Sequence, residues 1–357
     1  MSTGNPQTTH PAMQYWLQPS MHPTYARLLC AYLRREGFSW SQILSDTQLS
    51  WERLESDYQY LSLAQVARLV TRARRLTGRT WLGYEVGRIT TISTHGVFGH
   101  TALCAPDIRS LLEVITRFVR IRFSFIGIPV ESEGDNCVVR IDELQPWGNA
   151  REFVLLIVLA TIMQLLDTAA AEPITPLRID WPLPAPDPPI FVERLAGVQT
   201  CYNTPRFGLH IPPAALDQRC MMADPGNYRN GLRDCEAQLH HQLQGGTTSM
   251  RVYNLLLGKA PHYPQLEDAA SALATSRRTL MRRLKVEGSS YQTLMDNVRQ
   301  ELTAWYLLES DLPIAHVAEH VGYEDTSNFA RSVRRWFGIT PLAMRQANGG
   351  DRDTHLK

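Results

Sequence analysis

The chain has no long uninterrupted apolar run, no paired cysteines and no excess of charge, and each absence removes a class of protein. Its longest apolar stretch, Phe153 to Leu166, contains Thr161 and Gln164. It falls short of the ~20 residues a bilayer crossing needs and reads as a buried helix, so no membrane is expected as a partner. Six cysteines (Cys30, Cys104, Cys137, Cys201, Cys220, Cys235) are scattered with no C-x-x-C pair and no signal-like segment before them. That pattern implies reduced thiols in a cytoplasmic protein rather than a disulfide framework.

Chemistry-bearing motifs are equally sparse. No Ser-His-Asp order, carboxylate pair or nucleophile elbow stands out, so catalysis has no positive support. Gly83, Gly87, Gly96 and Gly99 form no G-x-G-x-x-G after a strand, and no cofactor is expected. His316 and His320 lie four apart beside Glu319, yet the order is not H-E-x-x-H and further ligands are missing. Two exposed helix residues account for that pair better than a metal does, and the same holds for Cys235, His240 and His241.

What is present is local. Net charge is +1 over 357 residues, and residues 246–346 hold 12 Lys+Arg against 10 Asp+Glu, only mildly basic. Within them, 276–287 carries five basic residues and one acidic, and 326–338 carries three basic and none acidic. Such focusing matters more for phosphate contact than overall charge. The two runs also share a pattern. Leu280-Met281-Arg282-Arg283-Leu284-Lys285 recurs 49 positions later as Phe329-Ala330-Arg331-Ser332-Val333-Arg334. Apolar residues at i and i+4 pin a short helix to a core while basic residues take the other side. A DNA major groove accepts such a helix, and two copies suggest two adjacent grooves.

The first 20 residues are polar without a sustained period and read as a disordered tail. Helical periodicity then dominates Arg27–Glu36, Leu63–Leu76 and Ile108–Arg120. Strands are expected at Ile121–Val130, Cys137–Ile141, Leu177–Trp181, Gln199–Tyr202 and Phe207–Ile211, with a long helix at Ala150–Ala171. A proline-rich loop (Pro182, Pro184, Pro186, Pro188, Pro189) interrupts them. Residues 21–222 thus read as a mixed α/β effector-binding or dimerisation domain. A linker follows over 223–249, with a connecting helix at Tyr228–Gln244 and a joint at Gly245–Ser249. Residues 250–346 read as an all-α domain, and 347–357 as a tail.

Two helix-turn-helix units fill that all-α domain. In the first, Leu266, Ala269, Ala270 and Leu273 form a packed face, Ser276 caps the second helix, and Gly288 stops it. In the second, Ile314, Val317, Ala318 and Val321 pack, Gly322 supplies the turn, Thr326 opens the recognition helix and Gly338 ends it. Ser290–Ser310 lies between them with no Gly or Pro. As a helix it would be a rod roughly 31 Å long, close to the roughly 34 Å between successive major grooves on one face of DNA.

Residues 250–346 resemble the DNA-binding domain of the AraC/XylS family of bacterial transcription regulators. The resemblance runs through Ala270…Leu273…Ser276-Arg277-Arg278-Thr279-Leu280…Arg282-Arg283-Leu284…Gly288, then Ile314-Ala315…Val317-Ala318…Val321-Gly322-Tyr323…Ser327-Asn328-Phe329…Arg331…Phe337-Gly338…Pro341…Arg345. It departs from the family pattern at Ala274, where the family often has Gly. The first half resembles the α/β "arabinose-binding" effector domain of a subset of that family, through Leu82-Gly83…Gly87, His95-Gly96…Gly99 and Phe207-Gly208-Leu209-His210-Ile211-Pro212. That label does not imply an arabinose ligand.

By position in the family motif, Arg278, Met281 and Arg282 would face base edges in the first unit, and Thr326, Ser327, Asn328 and Arg331 in the second. Arg can bridge guanine O6 and N7, Asn adenine N6 and N7, and Met can meet a thymine methyl. Arg277, Lys285, Arg334 and Arg335 are phosphate candidates, which position without specifying. His95, His100 and Cys104 precede a helix and are the candidates for lining an effector pocket. The resemblance implies double-stranded promoter DNA, RNA polymerase, a small-molecule effector and a second copy of the chain as partners. A regulator whose first half binds no ligand is the alternative. A DNA-binding unit fused to a cysteine-based enzymatic sensor is the third reading, but Cys235 has only Arg233 nearby.

Overall fold

The computed structural model describes residues 11–134, 136–185 and 198–347. Of the proline-rich loop, Pro186, Pro188 and Pro189 lie outside the described residues, as do 1–10 and 348–357 of the expected tails. The chain folds into two compact units. One comprises residues 1–27, 39–72 and 245–357, and the other 28–38 and 73–244.

The expected mixed α/β half and all-α C-terminal half are both present, but the grouping of segments differs from the expected 21–222 and 250–346. Residues 39–72 pack with the C-terminal helices. So does part of the segment read as a disordered tail, because Pro11–Leu17 is a helix with Met13, Trp16 and Leu17 buried. The Trp16 ring lies 6.2 Å from that of Trp305. Apolar residues at 13, 16 and 17 fit one helical face, a signal too short to register as periodicity.

In this first unit, strands β1 (Pro19–Met21) and β2 (Leu61–Ser62) pair antiparallel. The helices Thr248–Lys259 and Tyr291–Glu309 form its centre through Val252, Leu256, Val298, Leu302 and Leu307. A buried polar knot sits beside that core. Glu301, 1% exposed, accepts from Gln65 Nε2 at 2.7 Å and from Arg68 Nη2 at 2.5 Å. Both carboxylate oxygens are therefore engaged, as a buried charge requires.

The second unit holds a sheet of β3 (Ile126–Gly127), β4 (Val130–Glu133), β5 (Asn136–Glu143), β6 (Arg178–Trp181), β7 (Gln199–Tyr202) and β8 (Phe207–Ile211). Its order is β3-β5-β8-β6-β7 with β4 also on β5, antiparallel except for the parallel β6–β7 pair. The continuous strand expected over Ile121–Val130 is not formed. Val119–Ile121 is a 3-10 turn, and Pro129, which cannot donate to a ladder, separates the short β3 and β4. On one face, Asp180 accepts from His210 Nε2 at 2.7 Å and pairs with Arg178 Nε at 2.8 Å. Burial pushes its carboxyl up, and the Arg178 and His210 hydrogen bonds outweigh that, leaving it below its ordinary value. Gly208 of the Phe207–Pro212 motif makes room, since a Cβ there would lie 2.9 Å from Asp180 Oδ2.

The helix Arg151–Ala169 is the core of this unit. Together with its preceding turn it spans 22 residues and is long and apolar enough to cross a membrane, contrary to the expectation from length, but 72% of its most apolar stretch is buried inside the protein. The Leu82-Gly83…Gly87 motif explains how it is covered. Gly83 and Gly87, four apart on the helix Leu82–Arg88, let that helix approach Arg151–Ala169 closely. A Cβ on Gly83 would lie 2.3 Å from Phe153 O, and one on Gly87 2.6 Å from Ala160 Cβ. These glycines serve helix packing. The connecting helix forms at Pro225–Leu243, with Asp224 capping it, and packs within the same unit by burying Gly231 and Cys235.

Candidate nucleic-acid interface

The first recognition helix, Arg277–Val286, starts where the Ser276 hydroxyl accepts from Thr279 N at 3.2 Å. Leu280 and Leu284, one turn apart, are buried and fix its rotation. That rotation leaves Arg277, Arg278, Met281, Arg282 and Lys285 exposed. Met281 is 45% exposed, a large apolar side chain left in solvent on an otherwise basic face. Arg277 pairs with Glu267 at 2.7 Å, both more than half exposed. Such a surface pair is weak and can yield to a phosphate.

The second recognition helix, Thr326–Phe337, is capped by Asp325, which accepts from Ser327 N at 2.9 Å. It ends at left-handed Gly338, whose N–H donates to Arg334 O. Phe329 and Val333 are fully buried, and Thr326, Ser327, Asn328, Arg331, Arg334 and Arg335 are exposed. Arg331 Nη2 donates to Asn328 Oδ1 on the same face. All eleven residues assigned to DNA from sequence are therefore exposed on the two helices.

The joining helix covers Tyr291–Glu309, about 28 Å at 1.5 Å per residue. Ser290 is its N-cap and Ser310 its C-cap. The second turn is bolted from behind. Tyr263 Oη donates to Val321 O at 3.1 Å, and the Arg299 guanidinium lies 5.0 Å from the rings of both Tyr263 and Tyr323. The first recognition helix is tied down at its far end by Glu287, whose carboxylate accepts from the backbone N–H groups of Thr248 and Ser249 at 2.9 and 2.7 Å. Tyr263, Arg299 and Glu287 escaped the sequence reading because their partners are distant in sequence and no local pattern marks them.

The three effector candidates are not brought together as a set. His100 is exposed, with Nε2 3.7 Å from the buried Cys104 Sγ one turn on. His95 is 2% exposed and packs against Phe98 and Gly99 instead. Burial and then the Arg122 charge push its pKa down to about 4, so it is neutral at pH 7. Burial, and then the Asp224 charge, push the Cys104 thiol up, so less of it is thiolate. Among the described residues, no group of three or more His, Cys, Asp or Glu side chains could hold a metal ion.

Two family models match this chain. The one described as the arabinose-binding domain of AraC transcription regulator, N-terminal, matches residues 37–220, and a helix-turn-helix domain matches 269–347. The chain belongs to the AraC family of transcription regulators. Among relatives of this AraC-family chain, the "Ornithine utilization regulator" of Pseudomonas aeruginosa is 29% identical over 327 residues, covering 90% of this chain and 95% of that protein. "HTH-type transcriptional regulator VqsM" of the same organism is 26% identical over 274 residues, 74% of this chain and 83% of that one. The crystal structure of the transcriptional regulator CdpR, also from Pseudomonas aeruginosa, aligns over 90% of this chain and 98% of its own at 24% identity and a TM-score of 0.46. The chain is a sequence-specific DNA-binding transcription regulator, with an effector-type α/β region ahead of two helix-turn-helix units.

Proposed function

We propose that this AraC-family regulator reads promoter DNA in two adjacent major grooves. In the first, Arg278, Met281 and Arg282 contact bases; in the second, Thr326, Ser327, Asn328 and Arg331 do. Arg277, Lys285, Arg334 and Arg335 hold phosphates. The observation that carries this reading is that each recognition helix turns its buried pair inward (Leu280 and Leu284, Phe329 and Val333) and leaves every one of those side chains in solvent. An effector bound by the α/β region changes operator affinity, RNA polymerase is contacted at the promoter, and two copies of the chain gain avidity on paired half-sites. The reading assigns no catalysis and a cytoplasmic location, in keeping with a family of DNA-binding regulators.

Footprinting and gel-shift titration of the full chain on its own upstream region test this, with and without candidate effectors. Ornithine belongs in that panel because of the name of one relative. A protected site of about two helical turns whose affinity shifts with an effector is the expected result. Binding with no sequence preference at any salt concentration overturns it.

A further inference from the structure

Two joints would let the helix-turn-helix units turn against one another if the joining helix were their only connection. Residues 287–290 and 310–313, at either end of Tyr291–Glu309, lie outside the helices. A rod of about 28 Å fixes a distance, but rotation at its ends changes where each recognition helix points. The first joint is tied by Glu287 to the backbone of Thr248 and Ser249. The second is tied by a stack around Arg299.

Arg299, half-buried on the joining helix, places its guanidinium 5.0 Å from the centres of both the Tyr263 and the Tyr323 ring. Tyr263 belongs to the first unit, two residues ahead of Gln265, which caps that unit's first helix. Its neighbour Pro264 is held to the start of the joining helix, because Tyr291 Oη donates to Pro264 O at 2.5 Å. Tyr323 belongs to the second unit's turn. Its ring meets Phe329 and Trp336 of the second recognition helix edge-on, at 5.7 and 6.3 Å. Hydrogen bonds reinforce the stack: Tyr263 Oη donates to Val321 O at 3.1 Å, and Arg299 Nη2 to Gly322 O at a long 3.5 Å. Arginine suits the place, since its planar cation stacks on rings and still donates in its own plane. Contacts thus run without a break from the lead-in of the first unit, across the joining helix, to the second recognition helix.

We infer that Arg299 is a positioning residue that sets the spacing of the operator. By holding Tyr263 and Tyr323 on either side of its guanidinium, it fixes the second recognition helix relative to the first. The regulator is thereby restricted to sites whose two sequence motifs lie one distance apart. One added base pair moves the second motif by about 3.4 Å along the duplex and turns it by about 35°. A recognition constellation tolerates only ~0.5 Å and ~10–20°, so a clamped reader cannot follow both motifs across that change. With the stack broken, the joint at 310–313 can turn to absorb it. This deepens the two-groove reading and rests on it.

The test is binding-site selection with the full chain on a library of randomised duplexes. Gel-shift titration then compares the selected site with a version carrying one base pair inserted between its motifs. Wild type should select two motifs at one fixed separation and lose roughly tenfold or more on the insertion. Arg299→Met removes the cation and keeps an unbranched stem, and should select the same two motifs over a spread of separations. It should bind the original site roughly tenfold more weakly, yet lose less than about threefold on the insertion. Tyr263→Leu, which removes one ring of the stack, should behave alike and carries the test should Arg299→Met fail to fold. Tyr323→Phe keeps its ring and should keep the wild-type spacing. A folded Arg299→Met or Tyr263→Leu that retains a single separation overturns the proposal, as does equal broadening in Tyr323→Phe. Loss of the second motif altogether in Arg299→Met also overturns it, because Arg299 would then support the fold of the second unit rather than its placement. Failure of the two-groove reading shows in wild type itself: a single motif there removes that reading and the spacing role with it. Two motifs in wild type with unaffected variants remove only the role of Arg299.

Discussion

Ala274 and Gly322 occupy the same place in the two helix-turn-helix turns, both left-handed, at φ 51° and 83°. The hydrogen bonds match as well: Ala274 N to Ser271 O and Thr275 N to Ala270 O, then Gly322 N to Glu319 O and Tyr323 N to Ala318 O. This is the glycine-type ending of a helix, written once with alanine. The repeat is not uniform beyond it. Ser276 caps the next helix two residues after Ala274, and Asp325 three residues after Gly322. That single extra residue turns a spacing of 48 at the turns into 49 at the recognition helices.

Left-handed geometry costs an L-residue about 1–2 kcal/mol, part of which glycine returns through unfolded-state entropy. Ala274→Gly should therefore stabilise the protein by about 0.5–1 kcal/mol. Gly322→Ala should destabilise by more than about 2 kcal/mol, because its Cβ would also lie 2.8 Å from Pro261 O and 2.8 Å from Tyr263 Cε2. Urea unfolding of both variants checks this, and equal or reversed effects would contradict the turn assignment.

Arg331→Ala should cost about 1–3 kcal/mol of specific binding and relax preference at one base pair. Asn328→Ala should loosen a neighbouring position too, since Arg331 hydrogen-bonds Asn328 in the free protein. Binding-site selection reads both, and an unchanged preference would remove Arg331 from the base-reading set.

Lys285 and Arg335 should behave otherwise. Replacing either with alanine should weaken all sequences alike and lower the slope of log affinity against log salt by about 1. A shifted base preference at constant slope would show the two roles reversed.

His95 should make the protein acid-sensitive. Its folded pKa, pushed down to about 4, lies below the unfolded value of about 6.5. Between those values the unfolded chain carries a proton that the folded chain does not. The stability contribution is complete above about pH 6.5 and is lost as pH falls toward 4, by at most about 1.4 kcal/mol per pH unit. Urea unfolding at pH 7 and 5 measures the slope, which should flatten in His95→Gln; an undiminished slope would assign it elsewhere.

Local pattern alone determined the two recognition helices. Leu280 with Leu284, and Phe329 with Val333, recur at helical spacing, so which side faces the core, and hence which residues face solvent, follows from backbone geometry. Strands β5 to β8 were legible for a similar reason, since period-2 apolar runs sit between turn formers. What needed the tertiary structure was every choice of distant partner. Residues 39–72 join the C-terminal helices, Glu301 is satisfied by Gln65 and Arg68, and Glu287 reaches back to Thr248 and Ser249. Periodicity reports only which face of an element is buried; which surface covers that face is decided by packing and by the pairing of buried polar groups across the whole chain.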